Sequence, residues 1–79
     1  MTLEEDLHRM DELQHQLLKM GINIREKRKQ NHDVNNVENK RIEKLSEYAR
    51  LCRELKATQH YESYYERVEW MSTYIKNYH

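Results

Sequence analysis

Asn31-His32-Asp33-Val34-Asn35-Asn36 is the stretch on which the architecture of this chain turns. Asn and Asp side chains hydrogen-bond their own backbone outside the helix and tolerate left-handed φ, so four of them within six residues break a helix where a single one would not. The segments on either side have helical periodicity. The chain is therefore expected to reverse over residues 31–36 and lay two helices antiparallel, apolar stripe against apolar stripe.

N-terminal to the turn, Thr2-Leu3-Glu4-Glu5 has the pattern of a capping box, and Glu4, Glu5 and Asp6 place negative charge on the positive end of the helix dipole. Leu3, Leu7, Met10, Leu13, Leu17, Met20 and Ile24 follow at steps of 4, 3, 3, 4, 3 and 4, an average of 3.5 residues, which is the repeat of a packed helical seam. Leu18 and Ile22 would widen that stripe. Gly21 admits two readings, a Schellman end after Met20 or a mid-helix glycine with a kink. Because Ile24 keeps phase with Met20, a single helix over about 3–30 is preferred.

C-terminal to the turn, Asn35-Asn36-Val37-Glu38 offers another capping box for a helix over about 37–57. Val37, Ile42, Leu45, Tyr48 or Ala49, Cys52 and Leu55 supply its apolar face. Continued at the same spacing, that face would meet Gln59, Glu62, Glu66 and Glu69, all polar, while a new stripe of Tyr61, Tyr64, Tyr65, Val68, Met71, Ile75 and Tyr78 begins about 100° away, flanked by Trp70 and Tyr74. An aromatic-rich helix over about 59–78 is expected. With neither Gly nor Pro between Ala57 and His60, the sequence leaves open whether it continues the previous helix or is separate from it.

With no Pro and one Gly among 79 residues, almost nothing in the chain opposes helix, and the fold class expected is all-α, a helical hairpin or three-helix bundle with coiled-coil-like packing. A chain of this length buries only roughly 60–65% of its unfolded surface. At 37% hydrophobic residues and a mean hydropathy of −1.24, it has enough apolar side chains for a seam and few beyond it. Self-association, most simply as a homodimer, is expected to complete the burial through Leu3, Leu7, Met10, Leu13, Leu17, Met20, Ile24, Ile42, Leu45, Cys52 and Leu55.

Fourteen basic and fourteen acidic residues cancel, which removes any global attraction to nucleic acid or membrane. Locally, residues 21–44 hold seven bases against four acids. Arg25, Lys27, Arg28, Lys29, Lys40, Arg41 and Lys44 would gather at one end of the hairpin, where they suit either a solvated helix end or, as the rival functional class, contact with nucleic-acid phosphate. Glu5-x-x-His8 and Glu12-x-x-His15 have the spacing of carboxylate-bridged metal sites, but they lie beside the apolar stripe, so a hydrated flank is the reading preferred and no metal or other cofactor is expected. Cys52 sits among leucines, where a thiol serves as a small hydrophobe, and no nucleophile elbow, phosphate loop or HExxH is present. A lone cysteine, no signal-like h-region and no long apolar run lead to the expectation of a cytoplasmic, non-enzymatic protein without a membrane span. Tyr, Trp and Arg are the residues of binding hot spots, and Tyr61, Tyr64, Tyr65, Arg67, Trp70, Tyr74 and Tyr78 are the expected contact surface for an unidentified protein partner, with the core of a small bundle, its hydroxyls wetted or paired, and a base-stacking platform as the alternatives.

Overall fold

The computed structural model describes residues 2–78 as three helices, α1 (Leu3–Lys29), α2 (Asn35–Ala57) and α3 (Tyr61–Asn77), and among the described residues there is no strand. Half of the capping box forms at α1: the Glu5 N–H donates to Thr2 Oγ1 at 3.2 Å, while the Glu5 carboxylate accepts from the Thr2 hydroxyl. α1 runs unbroken through Gly21, whose φ is not positive, so the Schellman alternative at that point does not occur.

Both junctions between helices use one device. At the end of α1, Asn31 adopts φ 59°, the His32 N–H bonds to the Lys27 carbonyl at 2.9 Å and the Asn31 N–H to the Arg28 carbonyl at 3.2 Å. This is a Schellman motif with Asn in the left-handed position. At the end of α2, Gln59 adopts φ 64°, with His60 N–H on the Leu55 carbonyl at 2.9 Å and Gln59 N–H on the Lys56 carbonyl at 3.1 Å. The second and third helices are therefore separate.

The start of α2 departs from the expected capping box. The helix begins at Asn35, two residues early, and the Asp33 carboxylate accepts the Asn35 N–H at 3.0 Å. Asn35 is already helical and cannot also serve as the cap. No side chain caps the first turn of α3.

Short connections make consecutive helices antiparallel, so α1 and α3 run parallel. Arg9 meets Glu47 and Arg28 meets Glu38 across α1 and α2, while Tyr48 meets Trp70 and Arg41 meets Tyr78 across α2 and α3. The bundle is elongated, 44 × 21 × 15 Å, as a helix of 27 residues at about 1.5 Å each requires. Its center is Met10 and Leu13 of α1 with Tyr48, Leu51, Cys52 and Leu55 of α2, flanked by Leu3, Leu7, Tyr64, Val68, Trp70 and Met71; Leu17 and Ile24 are also buried.

The stripe expected on α1 from Leu3 to Ile24 faces inward, but Leu18 and Ile22 are exposed rather than widening it. On α2 the buried face is Tyr48, Leu51, Cys52 and Leu55. Ile42, expected in the seam, is 59% exposed, because Tyr48 and Leu51 aim the helix so that position 42 falls on its outer shoulder.

Candidate functional site

The aromatic helix keeps Tyr64, Val68 and Met71 of its apolar stripe against the core but is rolled toward the flanking Trp70 and Tyr74. Arg67, Trp70, Tyr74 and Tyr78 lie toward the other helices, whereas Tyr61, Tyr65 and Ile75 face outward. Four rings form a ladder along the bundle: Tyr48 to Trp70 at 5.3 Å between centroids, Trp70 stacked on Tyr74 at 5.2 Å, and Tyr74 to Tyr78 at 5.1 Å. Offset rings at such separations attract beyond their area of contact.

Several inward polar groups on this face have a partner opposite them, although the Nε atoms of Arg67 and Arg41 are buried without one among the described residues. The Tyr74 hydroxyl donates to the Leu17 carbonyl at 2.6 Å, and burial raises its pKa, partly offset by the positive charge of Arg41. The Tyr48 hydroxyl lies 3.3 Å from Gln14 Oε1 and 3.4 Å from the Arg67 carbonyl, and burial pushes its pKa well above that of ordinary tyrosine. Arg67 bonds Asp11 and Gln14 of α1. Burial opposes its charge, but Asp11 and the Tyr48 hydroxyl outweigh that and leave its pKa raised.

Gly21 is the seat for this ladder. A Cβ there would come within 2.6 Å of Tyr78 Cδ1 and 3.2 Å of the Tyr74 hydroxyl. The glycine is needed for close approach of two rings, not for a turn. Trp70, Tyr74 and Tyr78, expected on an outward contact surface, are thus drawn into the fold, with Tyr74 only 3% exposed. Tyr64 is half-buried against the core, with the Lys56 ammonium 5.6 Å above its ring.

The basic end is likewise partly spent inside the molecule. Arg25 stacks on Tyr78 at 4.8 Å and donates to the Asn77 carbonyl, Arg41 donates to the Tyr78 carbonyl at 2.8 Å, and Arg28 pairs with Glu38. Two arginines from two helices thus hold the carbonyl end of α3, where cations complement the helix dipole. Lys29 and Lys40 are exposed, and Lys27 and Lys44 are half-buried.

Large apolar side chains remain outside on every helix, Leu18 and Ile22 on α1, Ile42 on α2 and Tyr61, Tyr65 and Ile75 on α3. Ile75 is 48% exposed, Tyr61 48% and Tyr65 66%; Ile75 shares a shallow cleft with Leu45, Arg41, Tyr74 and Tyr78, and Ile42 lies one turn from Leu45. From sequence, Ile42 is assigned to the self-association seam and Ile75 to no partner surface. The signal lay in Gly21, Tyr74 and Tyr78: once the glycine is read as a seat for rings, position 75 must turn outward.

Of the Glu-x-x-His pairs, His8 contacts Glu12 at 3.0 Å across one turn, and among the described residues no three His, Cys, Asp or Glu side chains converge. Cys52 is buried, and its burial raises the thiol pKa. Among the described residues no helix is long and apolar enough to cross a membrane. No family model matches the chain, and comparison with curated proteins and with solved structures returns no match.

Proposed function

We propose that the protein is a non-enzymatic, cytoplasmic helical interaction module that self-associates and binds a macromolecular partner through the outer face of its α2–α3 hairpin. The observation that carries this reading is the exposure of Tyr61, Tyr65 and Ile75 on one side of α3, and of Ile42 on α2, in a chain whose other aromatic side chains are largely enclosed. Large apolar groups grouped on a small surface mark interaction sites, and tyrosine adds contact area with little conformational entropy to lose.

Affinity capture from native lysate, comparing wild type with a Tyr61→Ser, Tyr65→Ser, Ile75→Ser variant, tests it. These positions are exposed, so the variant is expected to keep its fold and lose a species that the wild type retains. Identical recoveries from two equally folded proteins would contradict the assignment.

A further inference from the structure

α3 is the most lightly held of the helices. Buried residues number five in α1 and four in α2, but only Tyr74 in α3. An element with few buried apolar side chains opens before the rest of a fold does.

Its hinge is also set against the closed form. Residues 58–60 join α2 to α3 through Gln59 at φ 64°, a left-handed conformation that strains any residue with a Cβ and that glycine usually occupies. No side chain caps the first turn of α3, so the N–H groups of Tyr61, Glu62 and Ser63 lack the helical partners they would find in a continuous helix. The segment Lys56-Ala57-Thr58-Gln59-His60-Tyr61-Glu62 contains neither Gly nor Pro, and nothing in it prevents that helix from forming.

We infer that α2 and α3 fuse into one helix and that α3 then docks in the α1–α2 groove of a second copy, giving a dimer by reciprocal exchange of α3. The inference rests on the self-association proposed above and names the partner and the surface. Every contact that seats α3 is remade between chains: Arg67 on Asp11 and Gln14, Tyr74 on the Leu17 carbonyl, Tyr78 over Gly21, and Arg25 and Arg41 on the last carbonyls. Closed and exchanged forms therefore differ mainly at the hinge, where exchange removes the left-handed residue and satisfies the uncapped amides. Short strained connections are where such exchange arises. The fused helix spans residues 35–77 and is roughly 65 Å long at about 1.5 Å per residue, against a longest dimension of 44 Å for the closed chain.

Size-exclusion chromatography with light scattering, together with small-angle X-ray scattering, on the full chain tests this with wild type, Gln59→Gly and Gln59→Ala. Glycine relieves the closed hinge and weakens the fused helix in both chains, so its dimerisation constant is expected to fall by roughly 100-fold. Alanine keeps the left-handed penalty and favours helix, so that variant should dimerise at least as well as wild type, with particles longer than the closed bundle. Dimers equally strong in all three proteins would overturn the exchange and leave association through the outer face standing. Monomers throughout would overturn both.

Discussion

α1 and α2 are joined by an aliphatic seam, whereas α3, beyond the packing of Val68 and Met71 on that seam, is joined to both by rings, hydroxyls and arginines. The first interface is Leu, Met and Cys packed around Tyr48, with Arg9 bidentate on Glu47 at its edge through bonds of 2.6 and 2.9 Å. The second depends on directed contacts: one hydroxyl on one carbonyl, one ring over one glycine, two arginines on a helix end. Area-driven packing tolerates small displacements, while directed contacts are kept or lost as units. The two interfaces should therefore fail differently.

The largest effect is expected at Tyr48, where the interfaces meet. Tyr48→Ala removes a fully buried ring that touches Trp70 and reaches Gln14, and a loss of about 3–5 kcal/mol in urea denaturation is expected, a large share of the stability of a domain of this size. Gly21→Ala sharpens the contrast. Alanine is the better helix former by about 1 kcal/mol, yet the clash with Tyr78 should make the change destabilising by about 1 kcal/mol net. In a Tyr78→Ala background the same substitution should become stabilising, and a double-mutant cycle reads the reversal. Gln59→Gly should stabilise the closed monomer by about 1 kcal/mol by relieving the left-handed position.

A smaller effect belongs to the α1–α2 edge. The Arg9 guanidinium hydrogen-bonds Glu47 and holds its carboxyl below the ordinary glutamate range, against an opposing contribution from burial. A lowered native pKa gives stability that is present above the unfolded value and lost as pH falls through the native one. Because both side chains are partly exposed, the contribution should be less than about 1 kcal/mol, and Glu47→Gln should remove that part of the acid sensitivity measured by thermal melts across pH. Smallest of all, Ile42→Ser should change stability by no more than about 0.5 kcal/mol, as expected of a side chain that is 59% exposed.

The contrast also explains what the sequence disclosed. The α1 seam was legible because leucine and methionine at 3-4 spacing have few other uses, and the first junction because Asn31, Asp33, Asn35 and Asn36 crowd together. The second junction gave no such sign, since the left-handed residue is Gln59 where Gly is usual. α3 misled for a related reason. A stripe drawn by hydrophobicity alone takes in Tyr61, Tyr65 and Ile75 together with the inward Tyr64, Val68, Met71 and Tyr78, while the inward face also contains Arg67 and the Tyr74 hydroxyl, whose polarity is absorbed by Asp11, Gln14 and the Leu17 carbonyl. Polar groups paired across an interface are invisible to periodicity.

Native-state hydrogen exchange measures most directly whether α3 is the detachable member of the bundle. Amides of α3 should exchange through an opening at least about 1 kcal/mol cheaper than the one that exposes the centers of α1 and α2. A single common opening energy for the protected amides of all three helices would contradict it.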